Sequence, residues 1–257
     1  MSSDITLSIS EHVASVEIHR PPNNFFDFDL IREIADTYET LDADANCRVI
    51  VLCSEGKHFC AGANFQSRES WGNEQLDNQA SQLYVEAVRI FSGRKPVVAA
   101  VHGAAIGGGL GLALSADFRI TCEEARFSAN FARLGFHQGF GLSVTLPRLI
   151  GQANASLLLF TGRRVKGDQA VDMGLADELV PQGQVRERAH ELAREIVASA
   201  PLAVQSIRAT LRAGLAEEIA RITDHELAQQ SKLRTSDDFR EGIAAMAERR
   251  APDFKGH

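Results

Sequence analysis

Apolar residues near the start of the chain alternate with polar ones in a pattern typical of a β-hairpin. Val16 and Ile18 are spaced by two within the segment Val13 to His19, and the segment Ile5 to Ile9 precedes it. The polar stretch Ser10-Glu11-His12 lies between them and is predicted to form the turn. The chain is therefore expected to begin with two antiparallel strands.

Short, continuous apolar runs farther along predict strands that are buried on both faces. These runs are Val49 to Leu52, Val97 to Val101 and Phe118 to Thr121. Between them lie segments with helical spacing, from Leu30 to Leu41 and over most of Trp71 to Ser92. This alternation of strands and helices implies parallel strands joined by crossover helices.

The second half of the chain loses the strand pattern and is predicted to be helical. Segments with helical character are Val144 to Ile150, Ala153 to Phe160, Gln184 to Ala198, a segment that begins at Pro201, and residues 216–250. We therefore predict an α/β fold with a core over residues 1–200 and a helical C-terminal region over residues 201–257. That region is expected to pack on the core and on neighbouring subunits, because helices that extend beyond a core bury their apolar faces on neighbours.

The composition narrows the class of partner. The 257 residues are 44% hydrophobic and carry a net charge of -7, which suits a globular chain and argues against nucleic acid as the main partner. No apolar run reaches membrane-spanning length and the N-terminus lacks a signal-peptide pattern, so a cytoplasmic protein without membrane contact is expected. The four cysteines form no CxxC pair and no cluster with histidines, so no metal site is expected.

Two turns of small residues are predicted to carry the chemistry. Cys60 to Asn64 follows the strand that ends at Leu52, and Ile106 to Gly111 follows the strand that ends at Val101. Small residues let a ligand approach the backbone, and the second turn leads into an apolar helix whose N-terminus offers free N–H groups. We therefore predict that the two turns together hold and polarise a carbonyl oxygen.

Other glycine motifs fit the second turn poorly. A dinucleotide-binding GxGxxG pattern would require glycine at Leu112, and the lysine followed by serine or threonine of a P-loop is absent. The glycines could instead serve only tight packing of a helix on a strand. Two such turns at the carboxyl ends of separate parallel strands favour a ligand site, since that edge is where α/β sheets bind ligands.

The same turns resemble two motifs of the crotonase (enoyl-CoA hydratase/isomerase) superfamily. Residues 58–64 resemble its FCAGAD turn, and residues 101–109 resemble its V-x-G-x-x-x-GGG element. Four further segments resemble family motifs in the same order: residues 19–26, residues 116–120, residues 159–175 and residues 252–255. The resemblance therefore extends over nearly the whole chain and implies a spiral of ββα units, assembled as a trimer or a dimer of trimers.

The resemblance also implies roles for individual residues. The backbone N–H groups of Ala61 and Gly108 would form an oxyanion hole that binds the oxygen of an acyl-CoA thioester and stabilises its enolate. Coenzyme A would be part of the substrate, and no separate cofactor is expected. The residues implied in coenzyme A binding are Asn24, Phe25, Phe26, Lys57, Ala61, Phe254 and Lys255.

The chain differs from the family at the positions of the residues that transfer protons. The hydratases of the family use two glutamates, and the matching positions here are Gly111 and Phe131. An aspartate used by other members matches Gly139. Polar side chains remain nearby at Asn130, His137 and Gln138. His137 and Gln138 are the candidates for catalysis, since a histidine titrates near neutral pH and an amide can position water or substrate.

Three hypotheses follow for the function. The first is an enzyme of the lyase or isomerase type that forms a thioester enolate by a step needing little base, such as decarboxylation. The second is a non-catalytic acyl-CoA carrier or sensor. The third is a hydratase whose carboxylates come from elsewhere, such as Glu69 or Glu74.

Overall fold

The computed structural model describes residues 4–64 and 74–257, with side chains described from residue 80 onward in the second stretch. The strands are β1 (Ile5–Ser10), β2 (Val13–Ile18), β3 (Val49–Ser54), β4 (Val97–Val101), β5 (Ala104–Ile106), β6 (Phe118–Thr121), β7 (Arg126–Ser128), β8 (Val165–Lys166) and β9 (Glu178–Leu179). The helices are α1 (Phe28–Ala43), α2 (Glu74–Ser92), α3 (Gly108–Ser115), α4 (Leu142–Thr161), α5 (Gly167–Asp172), α6 (Val185–Val197), α7 (Pro201–Leu211), α8 (Leu215–Leu233) and α9 (Asp237–Glu248). The prediction of a mixed α/β fold with a helical C-terminal region is confirmed.

The larger sheet has the order β1-β2-β3-β4-β6-β9. The predicted hairpin is confirmed, because β1 and β2 pair antiparallel around Glu11 and His12, which have φ angles of 49° and 66°. The other pairs in this sheet are parallel, as the predicted crossover helices require. Strands β3 and β4 are buried along their whole length, with helix α6 packed on them.

A second, smaller sheet has the order β5-β7-β8 and carries part of the site. Its strands have two or three residues each, which is too short for a periodic pattern, so the sequence does not predict them. Strand β5 pairs parallel with β7, and an isolated bridge joins Cys60 to Ala105. The smaller sheet therefore brings the chain after β3 alongside the chain after β4.

The predicted helical segments of the second half are confirmed with one change. Residues 144–150 and 153–160 belong to the single element α4, which is broken at Gly151, where φ is 73° and ψ is 163°. A left-handed glycine of this kind interrupts the helical backbone but lets the chain resume the helix after one residue. Pro201 begins α7 as expected.

Helix α7 is joined to the larger sheet by buried charges. The Asp117 carboxylate, just before β6, accepts hydrogen bonds from Val97 N at 2.8 Å, Arg208 Nε at 2.8 Å and Arg212 Nη1 at 3.0 Å. Helix α8 packs on α2 and α4. Asp117 therefore has a structural role, and the domain boundary between residues 200 and 201 stays a prediction.

Some sequence-based expectations fall outside the described residues. Glu69 lies in the undescribed segment 65–73, and Glu74 begins α2 within the stretch whose side chains are not described. Within the described parts of the chain, no helix is long and apolar enough to cross a membrane.

Candidate active site

The two small-residue turns lie side by side. Cys60 N donates to Ala104 O at 2.9 Å, and Ile106 N donates to Cys60 O at 3.0 Å. Gly62 follows with φ at 84°, and a Cβ atom at this residue would stand 2.7 Å from Ile106 O and 4.0 Å from Gly108 N. The close approach requires glycine at position 62, and it brings the first turn next to the start of α3.

The structure corrects the first of the two predicted oxyanion donors. The N–H of Ala61 donates to Asn23 O at 2.9 Å, so it is not available to a ligand. Two residues on, Ala63 forms a parallel bridge with Phe26, in which Phe26 N donates to Gly62 O at 3.1 Å. No hydrogen bond in the described part of the chain uses the N–H of Ala63. The free donor of the first turn is therefore Ala63.

The second predicted donor, Gly108, is free. It is the first residue of α3, whose eight residues are all buried, and Gly107 precedes it with φ at 57°. The Gly108 N–H has no hydrogen-bond partner among the described residues, as expected for the first turn of a helix. The positive end of the helix dipole lies at the same place. Ala63 and Gly108 thus supply two unpaired N–H groups from adjacent turns.

The loop before α1 is fixed against the first turn by Asn24. This side chain is fully buried, and its Nδ2 donates to Glu55 O at 2.7 Å and to His58 O at 2.6 Å. Its Oδ1 accepts from Arg20 N at 3.0 Å. The predicted contact with coenzyme A therefore cannot use the Asn24 amide, whose hydrogen bonds are all made within the protein.

Replacing Asn24 is expected to destabilise the fold rather than only weaken ligand binding. Asn24→Ala would leave the Glu55 carbonyl without its side-chain donor and the His58 carbonyl with only the Ser54 hydroxyl at 3.2 Å. It would also place alanine at φ 48°, and together these changes should lower the free energy of unfolding by about 3 kcal/mol. Urea unfolding measures this loss. Asn23→Ala is the matched control, since no hydrogen bond of the described residues uses the Asn23 side chain. Equal stability of both variants would contradict this role of Asn24.

Aromatic rings pack around the start of α3, where the second donor lies. The Phe26 ring lies directly on the Cα atom of Gly108 and packs edge-on against Phe140, with ring centroids 5.8 Å apart. A Cβ atom on Gly107 would stand 3.6 Å from Cζ of Phe131. The surroundings of Gly108 are therefore largely apolar, which strengthens any hydrogen bond that its N–H makes to a polarised oxygen.

Gly111 and Phe131 occupy the positions at which the resemblance places the glutamates. A Cβ atom on Gly111 would stand 2.7 Å from both Cβ and Cδ1 of Phe140, so this aromatic residue fills the space beside α3. Phe140 itself adopts φ at 60°, in the left-handed region that a bulky side chain rarely enters. No side chain could extend from position 111 unless Phe140 moved.

His137 and Gln138 lie on the loop between β7 and α4. His137 Nδ1 donates to the Gln138 carbonyl at 2.8 Å, and burial lowers the pKa of the imidazole, so it is neutral at pH 7. Gln138 Nε2 donates to Ser143 Oγ at 2.9 Å. His137 Nδ1 and the Gln138 amide nitrogen are thus engaged in holding this loop, and the catalytic role of both residues stays a prediction.

Two further polar side chains lie near the site, and of these the sequence points only to Asn130. The half-buried Tyr84 of α2 places its hydroxyl against Gly139 and donates to Gln230 Oε1 at 3.0 Å, and burial raises the pKa of the phenol. Asn130 Oδ1 would stand 3.6 Å from a Cβ atom on Gly107. No sequence signal singles out Tyr84, since it lies in an ordinary helical pattern.

The remaining predicted contacts with coenzyme A lie on the surface. Lys57 is exposed in the turn before the first donor, and Phe25 is half-buried. Phe254 is 39% exposed, and Lys255 pairs with Asp253 at 2.8 Å. The Asp238 carboxylate of α9 fixes this tail by accepting from Lys255 N at 2.6 Å. The side chains of Lys57, Phe254 and Lys255 are thus accessible, and their role in binding stays a prediction.

Two unpaired amides on adjacent turns of a mixed α/β fold define a protein that can hold a polarised oxygen. Residues 8–257 match the family model described as enoyl-CoA hydratase/isomerase. The chain therefore belongs to the enoyl-CoA hydratase/isomerase family, within the crotonase superfamily.

Individual relatives cover nearly the whole chain. The chain is 32% identical to the carnitinyl-CoA dehydratase of Salmonella typhi over 100% of both chains. It is 32% identical to a peroxisomal Delta(3,5)-Delta(2,4)-dienoyl-CoA isomerase of Arabidopsis thaliana, over 92% of this chain and 90% of the relative. The crystal structure of an enoyl-CoA hydratase/isomerase from Pseudoalteromonas atlantica T6c superposes with a TM-score of 0.87 at 27% identity, over 98% of this chain and 100% of that one.

Proposed function

We propose that this protein binds an acyl-CoA thioester and stabilises its enolate with the N–H groups of Ala63 and Gly108. The observation that carries the proposal is that both donors are unpaired and lie on adjacent turns. A thioester carbonyl oxygen gains negative charge as the enolate forms, and preorganised amides in apolar surroundings favour that charge. The family acts on acyl-CoA thioesters, which supports this class of ligand.

The reaction that fits the site needs no side-chain base at the α-carbon. Phe140 fills the space beside Gly111, and Phe131 lies next to Gly107. His137 is bonded through Nδ1 to the Gln138 carbonyl, and the Tyr84 hydroxyl donates to Gln230. Hydration by a pair of glutamates at positions 111 and 131 is therefore disfavoured relative to a step that forms the enolate by breaking another bond.

A turnover assay distinguishes the proposed enzyme from a non-catalytic acyl-CoA carrier. The purified protein would be incubated with enoyl-, malonyl-, β-keto- and hydroxyacyl-CoA thioesters, and products would be followed by mass spectrometry. We expect turnover of a thioester that can lose a group from its α-carbon, and none of crotonyl-CoA. Tight binding without turnover of any of them would favour the carrier, and hydration of crotonyl-CoA would favour carboxylates recruited from elsewhere, such as Glu69 or Glu74.

Self-association into a trimer or a dimer of trimers is part of the same proposal. Helix α7 leaves Leu202 80%, Ile207 59% and Leu211 79% exposed, and Phe160 at the end of α4 is 78% exposed. Large apolar side chains in such numbers are more typical of a subunit interface than of a solvent-facing helix.

A further inference from the structure

The Asn130 side chain lies beside Gly107, next to the proposed oxyanion hole. This residue begins the 3-10 helix Asn130–Leu134, directly after β7. A Cβ atom on Gly107 would stand 3.6 Å from both Asn130 Oδ1 and Phe131 Cζ. Within residues 4–64 and 80–257, no hydrogen bond engages the Asn130 side chain, so its amide can turn either end toward a ligand.

The position of Asn130 is fixed although its amide is free. Gly162, at the end of α4, packs on the Asn130 backbone, and a Cβ atom there would stand 3.2 Å from Cα of Asn130. Arg133 of the same 3-10 helix donates to Thr161 O at 2.7 Å. Ser128, before the helix, accepts from Gly107 N at 2.8 Å through its carbonyl. The amide is therefore held beside the hole by the backbone and not by its own hydrogen bonds.

We propose that Asn130 is a specificity-determining residue, which binds a carboxylate on the α-carbon of the acyl group and selects malonyl-type thioesters. The inference rests on the proposed function, because it places the thioester oxygen on Ala63 and Gly108. A carboxyl group is the substituent that a site without a base can use, since its loss supplies the electrons of the enolate. The amide Nδ2 donates to one carboxylate oxygen and so orients the bond that breaks.

The step balances without a co-reactant other than water. The bond from the α-carbon to the carboxylate breaks, its electron pair forms the enolate, and carbon dioxide leaves. The enolate oxygen is held by the N–H groups of Ala63 and Gly108, and the α-carbon then takes a proton from water to give the acyl-CoA. A neutral amide suits this step better than a lysine or arginine, because a salt bridge would stabilise the carboxylate in the ground state.

The test compares two thioesters of similar shape. Malonyl-CoA carries the carboxylate, and isovaleryl-CoA carries an isopropyl group in its place. The substitution Asn130→Asp keeps the size of the side chain but repels the carboxylate, so kcat/KM for malonyl-CoA should fall about 100-fold. Asn130→Leu removes the hydrogen bond without adding charge and should lower it about tenfold. The Kd for isovaleryl-CoA should stay within about twofold in Asn130→Leu.

The outcomes separate this inference from the function on which it rests. If wild type binds isovaleryl-CoA but does not decarboxylate malonyl-CoA, the inference fails and acyl-CoA binding stands. The inference also fails if both Asn130 variants lower kcat/KM for malonyl-CoA and the affinity for isovaleryl-CoA by the same factor, or change neither quantity. In either case Asn130 does not select the carboxylate. If wild type binds neither thioester, the proposed function itself fails. Only a selective loss with malonyl-CoA supports the carboxylate contact.

Discussion

Ala63→Pro is expected to abolish most turnover, because proline removes one of the two N–H groups that hold the enolate oxygen. Loss of a single oxyanion donor costs about 2.7–4 kcal/mol of barrier in other enzymes, so kcat should fall about 10²–10³-fold. The infrared stretching band of a ¹³C-labelled thioester carbonyl gives a second measurement, which needs only a bound thioester and no turnover. In wild type the bound isovaleryl-CoA band should move to lower frequency, and in Ala63→Pro much of that shift should disappear.

The controls distinguish the donor from the turn around it. Ala63→Ser keeps the N–H and should keep the carbonyl shift. Ala61→Pro removes the hydrogen bond to Asn23 O, so it should lower stability, and a variant that still folds should retain the shift. Retention of both turnover and shift in Ala63→Pro would contradict the assignment of this donor.

A test of the second donor, Gly108, requires two substitutions made together. The Phe26 ring lies directly on Gly108, so Gly108→Pro alone would displace that ring as well as remove the N–H. Gly108→Pro should therefore be made together with Phe26→Ala and compared with Phe26→Ala alone. The difference between these two proteins reports the N–H, and it should again be a loss of turnover of about 10²–10³-fold.

Restoring glutamates at positions 111 and 131 is expected to fail unless Phe140 is also removed. Gly111→Glu alone would drive a side chain into Phe140 and bury a carboxylate beside an aromatic ring, at a cost of at least about 3 kcal/mol in the free energy of unfolding. Replacing Phe140 by glycine opens this space and relieves the left-handed conformation of a bulky residue. The triple variant Gly111→Glu, Phe131→Glu, Phe140→Gly should hydrate crotonyl-CoA.

Hydration is followed by the loss of absorbance of the conjugated thioester. The matched control carries Gln instead of Glu at positions 111 and 131, together with Phe140→Gly, so that it has similar volume but no proton-transfer group. Equal rates in the two triple variants would show that the carboxylates contribute nothing. A Gly111→Glu protein with unchanged thermal stability would contradict the packing of Phe140 against Gly111.

The architecture could be predicted where the pattern is local. The hairpin from β1 to β2 follows from alternating residues, and the runs that became β3 and β4 are continuous because both of their faces are buried. The short strands β5 and β7 were not predicted, because three residues carry no periodicity. Their pairing depends on contacts between segments that are distant in the sequence.

Contacts between distant segments also limit what the sequence predicts about the site. The sequence marks the first turn as a place of close backbone approach, since small residues stand there, and in the structure Gly62 does lie against Ile106. It does not tell which amide is free, because that depends on the Asn23 carbonyl reaching Ala61 from another loop. Nor does it show that Tyr84 of α2 lies against Gly139, since helix packing alone brings them together.

The sequence by itself determined the family and the two turns, because glycine and alanine in a fixed order are needed wherever the backbone must approach a ligand. It also determined that positions 111 and 131 hold no carboxylate. Only the tertiary structure decided that Ala63 and Gly108 are the unpaired donors and that Phe140 fills the space beside Gly111. Hydrogen-bond partners and packing neighbours come from distant parts of the chain, and only the folded molecule brings them together.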